Sequence, residues 1–253
     1  MNEEPVLGID FGTTYSSMAW FNPRTGRAEV LRNAEGEEKT PSVVYYGDKE
    51  VVVGKVAEYY VEDLQACKRV LRAVKRDLAK PLVYTVGTRQ VSPVEVAAEI
   101  LRKLKRDAEE GHFGRPVRRV VLTHPAVFDE VEKERLRDAA QLAGFAEVVL
   151  LEEPVAAALA YVAAGLGAVE QGILVYDLGG GTFDLTLVVR DDSPADFRVA
   201  LPPRGLRIGG EDFDRVVYEA FDQFVRQTHG VSLGEDGLDL ALLKRCREYK
   251  ENL

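Results

Sequence analysis

An internal repeat is the feature of this sequence that most constrains its fold. Residues 6–21 read VLGIDFGTTYSSMAWF, and residues 173–189 read ILVYDLGGGTFDLTLVV. Each copy is an apolar strand that ends in Asp, followed by one apolar residue, a Gly/Thr turn and a second β-prone strand. Each copy therefore predicts a β-hairpin. Two copies so far apart indicate a duplicated α/β lobe, because the repeats of a solenoid are much shorter.

The chain around the two copies alternates between strand and helix patterns. Strands are predicted at residues 42–46, 50–53, 119–122, 148–151 and 198–201. Three helices are predicted between the copies: one from the Ser92 capping box to Gly111, one from Asp129 to Gly144, and one from Pro154 to about Gly165. Two more follow the second copy, from Gly209 to about His229 and from about Leu238 onward. This alternation predicts a mainly α/β fold.

Composition excludes several classes of function. The 253 residues carry a formal net charge of -9, which argues against binding to a nucleic-acid backbone. Two cysteines are too few for a disulfide framework or a zinc site. The N-terminus lacks the pattern of a secretory signal, and no apolar run is long enough for a membrane span. We therefore expect a cytoplasmic protein without nucleic-acid or membrane partners.

The two turns are suited to hold a phosphate chain and a magnesium ion. Gly12, Gly180 and Gly181 could take positive φ and let backbone N–H groups approach phosphate oxygens. Asp10 and Asp177 end their strands just before the turns, where they could face magnesium, partly through its retained waters. The sequence has neither a P-loop nor a dinucleotide-binding glycine fingerprint. We therefore predict a phosphate site between two hairpins.

Seven segments in order resemble the ATPase domain of the seventy-kilodalton heat-shock chaperones of the DnaK type. Two resemble the family's phosphate-binding signatures: GIDFGTTYS (8–16) and YDLGGGTFD (176–184). The other five are TPSVV (40–44), VGKVA (53–57), VVLTHPAVFDE (120–130), LLEEPVAAALAY (150–161) and GGEDFD (209–214). The resemblance covers nearly the whole chain, and the joint match is specific where one segment alone would not be.

The resemblance implies an actin-like, ribonuclease H-like α/β fold with duplicated lobes. It implies a lobe I core at 1–39 and 93–170, an inserted subdomain at 40–92, a partial lobe II core at 171–209, and the start of a further subdomain at 210–253. The family's later Gly-Gly-x-x-Arg-x-Pro loop, which helps to hold adenine and ribose, has no match. We therefore expect an incomplete lobe II and a nucleoside pocket that is about half missing.

The resemblance also implies roles for individual residues. Asp10, Asp177 and Glu153 would surround magnesium. Lys75 would be the catalytic lysine, with Lys68 as the alternative, and Asp184 is a second candidate for polarising water. The implied catalytic set is Lys75, Glu153, Asp177, Thr182 and Asp10. The implied ATP or ADP contacts are Gly12, Thr13, Thr14, Tyr15, Gly179, Gly180, Gly181, Thr182, Gly209, Gly210, Glu211 and Lys250.

Some positions depart from the family's pattern. Pro125 matches the residue that relays nucleotide state between lobes, but His124 replaces a small apolar neighbour and Val127 an aromatic one. Lys133 stands in place of an arginine, and Arg247 in place of a glutamate. These changes weaken the expectation of a relay. A catalytic role for His124 is less favoured than a histidine bonded to the backbone, because no partner is evident.

The function implied by the resemblance is that of an ATPase driving a chaperone cycle. In the full-length protein the partners would be unfolded polypeptides, a J-domain co-chaperone and a nucleotide-exchange factor. For this chain we expect weak or absent nucleotide binding and self-association through exposed apolar surface. The alternatives are an actin-like filament-forming ATPase, a sugar or acetate kinase of the same superfold, and a non-hydrolysing chaperone-like binding protein.

Overall fold

The computed structural model describes residues 4–63, 65–166, 172–190, 197–200, 204–233 and 239–252. The strands of this part of the chain are β1 (Val6–Phe11), β2 (Tyr15–Asn22), β3 (Arg27–Leu31), β4 (Lys39–Pro41), β5 (Val43–Tyr46), β6 (Val51–Val53), β7 (Val70–Arg72), β8 (Tyr84–Val86), β9 (Arg89–Val91), β10 (Arg119–His124), β11 (Glu147–Glu152), β12 (Ile173–Leu178), β13 (Phe183–Arg190), β14 (Phe197–Val199) and β15 (Arg204–Leu206). The α-helices are α1 (Lys55–Tyr59), α2 (Pro93–Ala108), α3 (Glu130–Leu142), α4 (Glu153–Ala163), α5 (Gly210–His229) and α6 (Leu240–Glu251). The mixed α/β content that the sequence predicts is confirmed.

Three predicted positions lie outside the described residues. They are Leu201 at the end of a strand, Leu238 at the start of the last helix, and the boundary between residues 170 and 171. The proposed subdomain boundaries stay predictions.

The larger sheet has the strand order β11-β10-β1-β2-β3, with β4 also paired to β2. Strands β11, β10 and β1 are parallel, and β2 returns antiparallel to β1 as the first predicted hairpin. Along β1 the residues Leu7, Ile9 and Phe11 are buried, whereas Asp10 between them is exposed. Side chains alternate between the faces of a strand, so the pattern that buries the apolar residues turns Asp10 to the opposite face.

A second sheet, of four strands, contains the second predicted hairpin, β12 with β13, and β13 also pairs with β14 and β15. Asp177 and Asp184 face each other in the register of this hairpin. On β12, Leu174, Tyr176 and Leu178 are 65%, 68% and 47% exposed. In the described part of the chain β12 pairs with β13 alone, so this apolar row lies on an edge strand.

Helix boundaries follow the capping signals at most positions. Ser92 and Asp129 both form the predicted capping boxes at the starts of α2 and α3. The predicted end of the first long helix at Gly111 is wrong, because α2 ends at Ala108 and a π-helical turn continues to Phe113. Gly114, with φ of 61°, takes the left-handed conformation that ends the helical run.

The π-helical turn places Phe113 against the larger sheet. Its ring meets Trp20 of β2 edge-on, with ring centroids 5.2 Å apart and an interplanar angle of 80°. Trp20 is the only tryptophan in the sequence. Among the described residues, no helix has the length and apolar character required to cross a membrane.

Candidate functional site

The turns of the two hairpins touch each other. A Cβ atom on Gly180 would lie 2.2 Å from Thr14 Oγ1, and one on Gly181 would lie 2.6 Å from Thr13 Oγ1. A Cβ on Gly12 would lie 2.0 Å from the carbonyl oxygen of Tyr15 in its own turn. None of these three glycines takes the positive φ that glycine allows. They are required for close approach instead, because a side chain would not fit.

Both hairpins line one cavity of about 510 Å³. Its wall contains Asp10 from the first hairpin and Asp177 from the second, together with Lys75 and Glu153. The other lining residues are Gly12, Thr13, Thr14, Tyr15, Ser16, Ser17, Lys39, Thr123, Ala156, Ala157, Gly179, Gly180, Gly181 and Thr182. Residues that are far apart in the sequence, and that were predicted to share a site, therefore surround one cavity.

Lys75 and Glu153 form a buried ion pair in this wall. Lys75 lies on a 3-10 turn and Glu153 is the first residue of α4. Lys75 Nζ donates to Glu153 Oε1 at 2.6 Å, and the two side chains are 6% and 16% exposed. The same Nζ lies 5.9 Å from the ring centroid of Phe128. Lys68, the alternative for the catalytic lysine, is exposed and does not line the cavity.

The carboxylates of the cavity wall create a site that suits a cation. Burial raises the pKa of Asp177, and the negative charge of Asp10 adds to this, while Lys75 opposes it. The pKa of Glu153 is also raised, chiefly by burial, against the lowering effect of Lys75. A cation between these groups would stabilise their charged forms and so lower both pKa values.

The carboxylates of the cavity suit magnesium, which takes few ligands from protein, better than a metal ion that takes all of its ligands from side chains. Among the described residues, no three His, Cys, Asp or Glu side chains form a group that could hold a metal ion. Magnesium in phosphate sites typically keeps several waters and takes one or two carboxylates together with phosphate oxygens. Asp10 and Asp177, from different hairpins that line one cavity, provide such carboxylates.

Asp184 is placed differently from the other acids. It is 2% exposed, does not line the cavity, and its Oδ1 has no hydrogen-bond partner among the described residues. Burial raises its pKa, which a hydrogen bond from Thr182 partly offsets. A Cβ on Gly205 of β15 would lie 2.5 Å from the same Oδ1. Asp184 therefore lies beneath the second turn, and its suggested action on water stays a prediction.

Four residues predicted to bind nucleotide do not line the cavity. They are Gly209, Gly210, Glu211 and Lys250. The amides of Gly210 and Glu211 donate to the carbonyl oxygens of Gly179 and Gly180 at 3.0 and 2.9 Å. Lys250 Nζ donates to the carbonyl oxygen of Gly210 at 3.0 Å. These polar groups hold α5 and α6 against the second hairpin.

The sequence interpretation missed Thr123 and Arg76. Thr123, at the end of β10, lines the cavity, and its hydroxyl donates to Asp10 Oδ1 at 2.9 Å. The pairing of β10 beside β1 brings these strand ends together, and only a correct strand order could have revealed this. Arg76 donates to Asp212 Oδ1 at 3.0 Å. This contact connects α5 with the 3-10 turn on which Lys75 lies.

A second cavity adjoins the first. It measures about 470 Å³, and Thr13, Lys75, Gly181 and Thr182 line both. Its rim includes Arg207, whose guanidinium donates to both carboxylate oxygens of Glu132 at 2.7 and 2.9 Å. This bidentate pair joins the segment after β15 to α3.

Comparison with known proteins identifies relatives of this chain. The family model described as Hsp70 protein matches residues 6–82 and 62–253. The chaperone proteins DnaK of Thermosipho melanesiensis and Thermosipho africanus are each 36% identical to this chain over 247 residues. DnaK of Thermotoga neapolitana is 36% identical over the same length. Each alignment covers 97% of this chain and 40% of the relative, so the chain spans about two fifths of the length of these relatives.

Proposed function

The chain belongs to the Hsp70 protein family, and from that membership we propose that it forms the phosphate-binding part of the ATPase of a DnaK-type chaperone. The observation that supports this most is the position of Asp10 and Asp177. They end corresponding strands of two similar hairpins, and both line one cavity with the Lys75–Glu153 ion pair. In this proposal the sheet that contains β1 and the sheet that contains β12 are the cores of two actin-like lobes, and ATP or ADP lies between them.

Each residue of the cavity wall has a task that its position supports. Asp10 and Asp177 would hold the magnesium ion, and Thr123 fixes the Asp10 carboxylate for this through its hydroxyl. The turns at Gly12, Gly180 and Gly181 would bring backbone amides and the hydroxyls of Thr13, Thr14 and Thr182 to phosphate oxygens. Magnesium held by these carboxylates would supply positive charge to offset that of the phosphate chain.

Lys75 and Glu153 would act at the terminal phosphate. The ammonium of Lys75 is nearly buried, so its charge is screened little by solvent and would stabilise negative charge on a phosphoryl group. Glu153 would orient the attacking water by accepting one of its protons in a hydrogen bond. Catalysis of this kind depends on positioning and on charge neutralisation, which a rigid buried pair can provide.

The function of the whole protein is part of the same proposal. There, hydrolysis of ATP would drive binding and release of unfolded polypeptides, with a J-domain protein and a nucleotide-exchange factor as partners. A cytoplasmic location stays a prediction. For the present chain we propose magnesium-dependent nucleotide binding weaker than micromolar, because the described groups serve the phosphate end of the ligand.

Calorimetric titration with ATP, with and without magnesium, tests the proposal. We expect weak binding that requires magnesium and is lost in Asp10→Asn and in Asp177→Asn. Asp138→Asn, at a half-buried position of α3 that does not line the cavity, is the matched control and should bind as the wild type does. Absence of any binding at millimolar ATP would contradict the nucleotide site, and micromolar or tighter binding would contradict the incomplete nucleoside pocket. Filaments that pellet with ATP would instead favour the actin-like alternative.

A further inference from the structure

Lys39 is a lysine of the cavity wall to which the proposed chemistry assigns no role. It begins β4, lines the cavity and is exposed to solvent. Within the described part of the chain, its ammonium forms neither an ion pair nor a hydrogen bond. Lys75, which lines the same cavity, is buried and already paired with Glu153. A ligand can therefore recruit the charge of Lys39 without breaking an existing pair.

The register of the larger sheet places Lys39 on the same face as Asp10. Asp10 pairs with Ser17 across β1 and β2, and Ser17 pairs with Lys39 across β2 and β4. Side chains of directly paired residues project from the same face of a sheet. Thr123 joins the other end of this row, since its hydroxyl donates to Asp10 Oδ1 at 2.9 Å. All four side chains line the cavity and form one polar row along it.

The adjacent row of the same strands supports this assignment of faces. Phe11 pairs with Ser16, Ser16 pairs with Thr40, and all three residues are buried. Because side chains alternate between the two faces of a strand, this burial puts Asp10 and Lys39 on the open face. The polar row therefore faces the cavity and the apolar core lies behind it.

The acids that precede Lys39 in the sequence do not neutralise it. Glu37 accepts a hydrogen bond from Lys55, and Glu38 lies 3.6 Å from a guanidinium nitrogen of Arg32. Each of these carboxylates thus has a cation of its own. The ammonium of Lys39 is left free for an anion that enters the cavity.

The charges of the wall indicate what this anion would be. The acidic side chains that line the cavity are Asp10, Glu153 and Asp177, and the basic ones are Lys39 and Lys75. Lys75 offsets Glu153, and a magnesium ion would offset the two aspartates. The charge of Lys39 then remains for a phosphate chain, which carries more negative charge than one magnesium ion offsets. The backbones of Asp10 and Lys39 stand roughly 10 Å apart across β2, which leaves room for a phosphate group between their side chains.

We propose that Lys39 is a phosphate-binding residue at the open end of this row, where its ammonium donates to a phosphate oxygen of the ligand. An ammonium on a flexible stem binds phosphate as a point charge, which suits an exposed position. Ser17 lies between Lys39 and Asp10 and can add a hydroxyl donor. The ligand class is a magnesium-bound phosphate chain, with or without a nucleoside. This inference rests on the proposed function and adds a binding residue to the same cavity.

Phosphorus NMR titration with magnesium–ATP and with magnesium–tripolyphosphate tests the assignment and suits weak binding. For Lys39→Gln we expect both affinities to be about fivefold lower than in the wild type at low salt, the size of one exposed charged contact. Salt at about 1 M shortens the reach of an exposed charge to about 3 Å, so the difference should fall below about twofold there. Lys39→Arg keeps the charge and should bind both ligands as the wild type does.

Lys49→Gln is the matched control, because it removes the same charge from an exposed lysine that does not line the cavity. It should bind both ligands as the wild type does, and an equal weakening would show that net charge alone matters and overturn the inference. An unchanged affinity in Lys39→Gln, or a loss that persists in full at high salt, would overturn it too. So would a loss confined to ATP, or a wild type that binds ATP but not tripolyphosphate. Failure of the wild type to bind either ligand would instead contradict the proposed function.

Discussion

Replacing Lys75 by methionine removes the ammonium group that lies 2.6 Å from Glu153 in the cavity wall. Methionine has a similar length and apolar stem, so packing over Phe128 is largely kept and the change is mainly one of charge. Removing one partner of a buried pair typically costs about 3–5 kcal/mol, because the remaining charge stays buried. Glu153 keeps 16% of its surface exposed, so we expect the low end, about 3 kcal/mol of unfolding free energy at pH 8.

The loss should depend on pH in a defined direction. Burial and the nearby charges of Asp10 and Asp177 already raise the pKa of Glu153, and Lys75 opposes this rise. Without Lys75 the pKa of the folded state moves further above the unfolded value of about 4.3. The folded variant then holds a proton that the unfolded chain releases. Its stability is therefore lost as the pH rises above the unfolded pKa and is recovered as the pH falls.

Urea denaturation followed by far-ultraviolet circular dichroism at pH 5 and pH 8 measures both effects. Lys133→Met is the matched control, because Lys133 pairs with the exposed Glu130, and it should change stability little. Adding Glu153→Gln to Lys75→Met should restore part of the loss by removing the unpaired charge. A loss below about 1 kcal/mol at pH 8, or an equal loss at pH 5, would refute a buried, coupled pair.

Two further predictions concern the turn and a buried histidine. Gly181→Ala should weaken magnesium–ATP binding at least tenfold in a calorimetric titration, because its Cβ would lie 2.6 Å from Thr13 Oγ1; Gly111→Ala, where the Cβ meets no atom within 4 Å, should not. Burial lowers the pKa of His124, so folding favours the neutral ring and stability should fall as the pH drops below about 6.5; in urea titrations at pH 7 and 5.5, His124→Gln should lose less stability than the wild type, and equal losses would contradict this.

The parts of the fold that could be predicted from sequence are those with local signals. The two hairpins follow from alternating apolar residues and from the repeated Asp and Gly/Thr turns. The starts of α2 and α3 follow from capping boxes, whose two residues are three positions apart and hydrogen-bond to each other. The end of the first long helix at Gly111 was wrongly predicted, because the glycine that takes the left-handed conformation is Gly114. The sequence does not show which of two nearby glycines takes the left-handed backbone conformation.

Prediction of the candidate site is limited in the same way, because its deciding contacts join residues that are far apart in the sequence. The pattern of residues singled out Asp10 and Asp177, and the spacing to the next helix favoured Lys75 over Lys68. The sequence could not show that Lys75 pairs with Glu153, 78 residues away in the chain. The glycines of the second turn were selected for their conformational freedom, whereas a side chain at Gly180 or Gly181 would meet Thr14 or Thr13 of the other hairpin, a tertiary contact that the sequence does not show. Arg247 on α6 pairs with Glu211 and Asp214 on α5, which is also a tertiary contact that the sequence does not show.

The contact between Trp20 and Phe113 has a consequence for spectroscopy. As the only indole of the chain, Trp20 provides essentially all of the intrinsic emission excited at the red edge of the ultraviolet band, and it lies on β2 in the larger sheet. Its quantum yield will respond when Phe113 moves away and water reaches the ring. Loosening of β12, β13 or α5 would leave that signal unchanged. Tryptophan fluorescence will therefore report unfolding of the sheet that contains β2. Unfolding of β12, β13 and α5 has to be followed with a probe placed on those elements.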